Sequence, residues 1–143
     1  MDTSSITRED EQLIAEAQAI LAKYYQPGKH YVGAALRTKT GRIFAAVHLE
    51  ANVGRAAVCA EAIALGKAIS EGESAFDTIV AVRRPEGAMS NAAIAVVSPC
   101  GICRELLSDY EADLRVIFTD NGAIKKCGVL DLLPGKYARG AGE

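Results

Sequence analysis

In the first third of the chain, apolar residues first recur at helical spacing and then form two nearly continuous runs. Residues 7–25 carry apolar side chains at helical spacing, with charged and amide side chains between them, which predicts an amphipathic helix. Residues 30–38 and 42–49 are largely apolar runs on either side of Lys39-Thr40-Gly41. A short glycine-containing turn between two such runs predicts an antiparallel β-hairpin.

The second half of the chain alternates helical and extended patterns. Helices are predicted over residues 59–70 and 99–109, and a proline at the first position suits the start of the second one. Strands are predicted over residues 76–82 and 114–119. The short apolar run at 92–97 is of uncertain type, and we favour a strand.

This element order predicts an α/β fold. Strands that alternate with helices imply parallel crossovers, whereas the hairpin adds antiparallel pairing, so we expect a mixed sheet of about five strands with helices on its faces. The chain has 143 residues, half of them apolar, which is enough for one packed core. We expect a single domain over residues 1–143, with a short terminal element at 129–133 and flexible tails at 1–6 and 138–143.

Composition and charge narrow the classes of function. The net charge is −2 and its acidic and basic residues are interspersed, unlike the basic face of a polynucleotide-binding protein. No apolar run approaches the roughly 20 residues of a membrane span. The N-terminal residues lack the basic and apolar segments of a signal peptide. We therefore expect a cytoplasmic protein that binds neither a nucleic acid polymer nor a membrane.

Three of the four cysteines are spaced like metal ligands. Cys100 and Cys103 are three residues apart at a predicted helix start, so they share one face of its first turn, and Cys59 starts another predicted helix. The positive end of a helix dipole stabilises a thiolate, which is the form that binds metal. Three sulfur ligands favour zinc. Glu61 lies two residues after Cys59 and could reach a zinc-bound water, which suits a catalytic site with three protein ligands.

Other interpretations of these residues remain open. A C-x-x-C pair alone also occurs in redox dithiols, although the third cysteine favours a metal. Cys127 could be a fourth ligand in a structural Cys₄ site, or simply a free thiol. Glu61 taken alone could be a solvated helix residue.

Several motifs together resemble one family. Cys-Ala-Glu at 59–61 followed by Pro-Cys-x-x-Cys at 99–103 resembles the signature of zinc-dependent cytidine deaminases. Cys59 stands where other deaminases have His, as in the small homotetrameric cytidine deaminases and in blasticidin S deaminase. V-G-A-A-L at 32–36, G-R-I-F at 41–44 and L-L-P-G-K-Y at 132–137 are also similar to family motifs. The resemblance covers roughly residues 10–137.

The resemblance implies a three-layer α-β-α sandwich and a hydrolytic reaction. Zn²⁺ held by Cys59, Cys100 and Cys103 would activate water, and Glu61 would move its proton to the ring nitrogen and then to the leaving ammonia. The family binds the ring through backbone groups, and the matching positions are the N–H of Ala60 and the C=O of Ser98.

The substrate-binding positions depart from the cytidine deaminase pattern. Glu50 matches the glutamate that holds the ribose, but His48 replaces the accompanying asparagine, and His30 replaces a phenylalanine. Either histidine could contact the substrate or be a plain strand residue. The resemblance also implies a homotetramer, or a dimer, in which Tyr137 covers the substrate of another subunit.

Two further features concern the negative charge of the zinc–thiolate site and the length of one loop segment. Three thiolates around Zn²⁺ leave a negative charge, and the family's usual arginine slots hold Ala62 and Ile102, so Arg104 or Arg55 is the candidate for compensation. The segment from Arg83 to Ala93 is longer than in ordinary cytidine deaminases. It could contact a different substrate tail or be an exposed basic loop.

The leading hypothesis is a zinc-dependent deaminase that converts the amino group of a cytidine-like nucleoside to a carbonyl and releases ammonia. One alternative is deamination of blasticidin S or another amino-heterocycle. Another is a non-catalytic zinc module on the same scaffold, although such a module would have no use for Glu61.

Overall fold

Three helices pack on one mixed sheet in the computed structural model, which describes residues 1–87 and 89–140. The helices are α1 (Arg8–Tyr24), α2 (Ala60–Ser70) and α3 (Gly101–Tyr110). Short 3₁₀ turns occupy Gly54–Ala56, Asn91–Ala93 and Val129–Leu132. None of the described helices is long and apolar enough to cross a bilayer.

Seven strands form the sheet. They are β1 (Thr3–Ser4), β2 (Val32–Thr38), β3 (Ile43–Val47), β4 (Phe76–Arg83), β5 (Ala95–Val97), β6 (Arg115–Asp120) and β7 (Ala123–Gly128). Their order is β1-β7-β6-β4-β2-β3, and β5 pairs with the carboxyl end of β4. The β4–β6 pair is parallel and the other pairs are antiparallel, so the expected mixed sheet is confirmed.

The helices cover both faces of the sheet, as expected for a three-layer sandwich. Helix α1 contributes Leu13 and Leu21 to a core cluster with Val80 and Ile117 on one face. Helices α2 and α3 contribute to the other cluster, which also includes the central strands and the last 3₁₀ turn. The two helices that begin with cysteines therefore lie on the same face of the sheet.

A buried ion cluster joins α1 to the sheet. The N-cap Thr7 and Asp10 form a capping box, and the Asp10 carboxylate is fully buried. Arg37 of β2 and Lys126 of β7 donate to Asp10 at 2.9 and 3.0 Å. Burial alone would raise the pKa of Asp10, but the Thr7 backbone N–H and these two cations outweigh it and hold that pKa at about 2.

The expected strand count of about five was too low. The sequence pattern did not predict β7, which follows the turn at Asp120-Asn121-Gly122. Asn121 and Gly122 both adopt positive φ, as in the two-residue turns that match strand twist, so β7 returns directly along β6. The pair Lys125-Lys126 hides this strand, because two adjacent cations interrupt the apolar pattern.

Three further predictions need correction. The expected tail at 1–6 contains β1, which pairs with β7. Only Ala95–Val97 of the run at 92–97 is a strand. Pro99 precedes the N-cap of α3, which is Cys100, rather than standing at the first helical position. The remainder of the predicted C-terminal tail, at 141–143, lies outside the described residues.

Gly33 sets the distance between α1 and the sheet. A Cβ at this position would lie 2.9 Å from the Ala17 carbonyl oxygen and 3.0 Å from the Leu21 Cβ, closer than side chains normally approach. Only glycine therefore allows the helix to pack this closely on β2.

We predict opposite effects for two glycine-to-alanine substitutions. Gly33→Ala should lower the free energy of unfolding by about 1–3 kcal/mol, because the helix and strand must separate. Gly66→Ala, at an exposed position of α2 with no atom within 4 Å of the new Cβ, should raise it by about 0.5–1 kcal/mol. Urea unfolding of both variants measures these changes, and equal effects would contradict the proposed close approach.

Candidate active site

Two helix N-termini place the three cysteines of the sequence motif. Cys59 is the N-cap of α2, and Cys100 is the N-cap of α3. Cys103 occupies the third helical position of α3, so its side chain lies over the same first turn as Cys100. Neither N-cap cysteine side chain bonds to its helix backbone, which leaves both thiols available to a ligand.

The three sulfurs have the spacing of a single metal site. The Sγ atoms of Cys59, Cys100 and Cys103 all lie within 4.8 Å of one another, and Cys59 and Cys100 are 3.5 Å apart. Tetrahedral zinc with bonds of 2.3 Å keeps its sulfur ligands roughly 3.8 Å apart. All three cysteines are free thiols, so the arrangement fits one zinc ion. Cys127 is buried elsewhere and is not a member of this group.

Burial makes two of these thiols, those of Cys59 and Cys103, hard to ionise without a cation. Burial raises the pKa of Cys59 to about 11, and contact with Cys100 adds to the effect. The pKa of Cys103 is raised well above its usual range by burial and by the negative groups around it. A divalent metal ion reverses this balance, because it stabilises each thiolate directly.

Glu61 lies beside the sulfur cluster in the first turn of α2 and is almost fully buried. Burial raises the pKa of its carboxyl group, and contact with Cys103 partly offsets that rise. A carboxyl group whose pKa is shifted toward neutrality can both accept and donate a proton at physiological pH.

A cavity of about 300 Å³ opens onto the cysteines. Its lining includes Tyr31, His48, Val58, Cys59, Glu61 and Ser98. This volume is at the lower end of the range for small-molecule sites. Cys59, Cys100 and Glu61 therefore face a space of suitable size for a nucleobase.

His48 presents one defined hydrogen-bond donor. Its Nδ1 accepts from the backbone N–H groups of Tyr31 and Val32 at 3.3 and 3.1 Å, so in the neutral ring the proton is on Nε2. The side chain is buried and Nε2 has no partner among the described residues. Burial lowers the pKa of His48, which favours this neutral form.

Glu50 lies next to His48 but is not part of the lining of this cavity. Its Oε2 accepts from the Tyr31 hydroxyl at 2.7 Å and lies 3.8 Å from His48 Nε2. His30 does not line the cavity, and its Nδ1 donates to the His48 carbonyl oxygen at 2.8 Å. His30 therefore supports the His48 backbone in this chain, and its contact with a substrate stays a prediction.

The backbone positions near the cysteines are firmly held. Ala60 is fully buried at the first position of α2. The Ser98 hydroxyl donates to the Thr119 carbonyl at 3.1 Å and accepts from its N–H, which joins the segment before α3 to β6. These contacts fix the backbone groups that face the cavity.

The two arginines proposed for charge balance have other surroundings. Arg104 donates to the carbonyl oxygens of Pro99 and Leu132, so it joins the start of α3 to the last 3₁₀ turn. Arg55 is exposed on the 3₁₀ turn before α2. Among the described residues, neither side chain has a hydrogen bond to a cysteine thiol, although the Arg104 backbone N–H donates to the Cys100 carbonyl oxygen within α3 at 3.0 Å.

Tyr137 does not line the cavity of its own chain. It is 76% exposed and shares a surface depression with Glu105 and Lys136 beside α3. A role at an active site would therefore require a second copy of the chain.

Tyr31 is the main site residue that the sequence did not indicate. It lines the cavity, donates to Glu50 and packs edge-on against His48 at 4.4 Å between ring centroids. It lies in an extended run between His30 and Val32, where aromatic residues are common for packing reasons alone. Only the three-dimensional contact with Glu50 distinguishes it.

Comparison with known proteins identifies the family of this chain. Residues 7–119 match the model of the cytidine and deoxycytidylate deaminase zinc-binding region. The chain belongs to this deaminase family. The resemblance in the sequence motifs is thereby confirmed, and the deaminase is a zinc-dependent hydrolytic enzyme.

Individual relatives of this deaminase differ in their named substrates. Blasticidin-S deaminase from Bacillus cereus is 50% identical over 139 residues, covering 97% of this chain and 99% of that protein. Cytidine deaminase from Sporosarcina psychrophila is 33% identical over 132 residues, covering 90% and 91%. The crystal structure of cytidine deaminase from Burkholderia pseudomallei is similar with a TM-score of 0.72, at 30% identity, and covers 92% of this chain and 100% of that one.

We predict that Cys103→Ser and Cys127→Ser differ in zinc content. Cys103→Ser should reduce bound zinc from one to about zero per chain, because the variant loses a soft ligand from a three-sulfur site. Cys127→Ser should retain zinc, because Cys127 lies outside the sulfur cluster. Metal analysis of the purified proteins measures both, and zinc loss in the Cys127 variant would instead indicate a Cys₄ site.

Proposed function

We propose that this deaminase acts on the cytosine ring of a nucleoside that is larger than cytidine, with blasticidin S as the substrate. The observation that carries the catalytic part is the buried Glu61 beside a cluster of three sulfurs, of which those of Cys59 and Cys100 line one cavity. The higher identity to blasticidin-S deaminase than to the cytidine deaminases supports the choice of substrate.

In this proposal Cys59, Cys100 and Cys103 hold the zinc ion. When bound, zinc supplies a water molecule that is nucleophilic near neutral pH. Glu61 accepts a proton from the attacking water and delivers it to the ring nitrogen next to the amino-bearing carbon. The same carboxyl group then protonates the amino group that leaves as ammonia.

The other site residues orient the nucleoside. The backbone N–H of Ala60 and the carbonyl of Ser98 bind the edge of the ring. The Nε2–H of His48 and the carboxylate of Glu50 bind the sugar, as a donor and an acceptor 3.8 Å apart. An asparagine amide can both donate and accept, whereas neutral His48 offers only a donor here, so this position favours a different sugar.

We further propose a homotetramer in the cytoplasm. The large exposure of Tyr137 supports a contact with a second copy of the chain, in which this ring covers the neighbouring substrate. Free rather than paired cysteines support a reducing compartment.

Substitution of Glu61 tests the mechanism. Glu61→Gln should reduce ammonia release by about 10²–10⁴-fold and retain zinc, because an amide cannot carry the proton. Glu16→Gln, an exposed glutamate of α1, should leave both unchanged. Retained activity in the Glu61 variant would show that Glu61 is not the group that carries the proton.

A substrate panel tests the choice of nucleoside. Ammonia release is measured with blasticidin S, cytidine, deoxycytidine, cytosine and several aminopurines on zinc-loaded protein. The value of kcat/KM for blasticidin S should exceed that for cytidine by about tenfold or more. A preference for cytidine would identify an ordinary cytidine deaminase, and no turnover of any pyrimidine would support a non-catalytic zinc module.

A further inference from the structure

A second cavity, of about 150 Å³, lies next to the candidate active site. Its lining comprises Tyr25, Gly28, Tyr31, Glu50, Arg83 and Glu86. Tyr31 also lines the cavity that contains the cysteines, so one aromatic side chain is a shared wall of the two spaces. A ligand bound at the cysteines could therefore extend past Tyr31 into the second cavity.

The junction between the cavities offers unsatisfied hydrogen-bonding capacity. His48 is more than nine-tenths buried, lines the catalytic cavity and has an Nε2–H without a partner in the described structure. Glu50 lies 3.8 Å away and lines the second cavity. A buried donor without a partner is costly, which indicates that a ligand group satisfies it here.

The second cavity carries an excess of negative charge. Two carboxylates, Glu50 and Glu86, line it with one guanidinium, that of Arg83. Arg83 lies over the ring of Tyr31 at 5.3 Å, and Glu86 has no hydrogen bond or ion pair with any described residue. The next cation along the chain, Arg84, lies over the Tyr25 ring and donates to Asn91.

We propose that this second cavity is a subsite for a positively charged substituent on the sugar of the nucleoside substrate, with Glu86 as its carboxylate partner. The inference rests on the proposed function, since it assumes that the nucleobase binds at the cysteines. Arg83 ends β4 and Glu86 lies in the turn that follows it. This segment therefore supplies one wall of the subsite.

The ratio of two specificity constants tests this subsite. Blasticidin S has a guanidinium-bearing chain on its sugar, whereas the sugar of cytidine carries only hydroxyl groups. Glu86→Gln should lower the ratio of kcat/KM for blasticidin S to that for cytidine by roughly five- to tenfold, because a charge-assisted hydrogen bond is lost. Glu86→Lys should lower it further through repulsion. The Glu16→Gln control should leave the ratio at the wild-type value.

Each outcome is informative. Because both substrates are measured on the same preparation, partial misfolding cancels in the ratio. An unchanged ratio in both Glu86 variants, or a proportional loss on both substrates, would overturn the subsite while leaving the proposed function intact. If the wild-type protein deaminates neither nucleoside, the proposed function fails. The subsite is then tested by the dissociation constants of the two nucleosides for the same variants, measured by calorimetry.

Discussion

The placement of three sulfurs around one point, two of them buried where burial opposes their ionisation, is the constraint on which the site depends. Burial raises the pKa of Cys59 to about 11 and that of Cys103 further, so the thiols need a cation to become ligands. The protein meets this requirement by directing the N-termini of α2 and α3 toward the same point. Both helices pack on one face of a sheet whose central strands are largely buried, which fixes their relative position.

The sequence predicted the metal site well because its geometry is local. Two cysteines three residues apart in one helical turn must lie on the same face, and a glutamate two residues after Cys59 must lie in the first turn of its helix. The same reasoning located the hairpin and the three helices. The chemistry of sulfur then selects zinc with little dependence on the rest of the fold.

The sequence was less informative wherever a residue's role depends on a distant partner. Lys126 looks like a surface cation, yet it donates to the buried Asp10 from a strand that the apolar pattern did not reveal. His30 looks like a substrate contact, but it bonds to the His48 carbonyl. Tyr31 looks like a strand residue, but it lies between two cavities. Each of these contacts joins residues that are brought together only by the sheet.

The two cavities separate the reaction from the selection of the substrate. In the proposed mechanism, Glu61 and the cysteines act on the ring at one end, where helix geometry allows little variation. His48, Glu50 and the segment that begins at Arg83 lie toward the other end, where side chains and loop length can change without moving the metal ligands. Two backbone N–H groups donate to Nδ1 of His48, so its Nε2 can only donate to a ligand. The histidine therefore requires an acceptor on the substrate, whereas an amide could bind either a donor or an acceptor. A family with a constant reaction could therefore acquire a new substrate by altering this end alone.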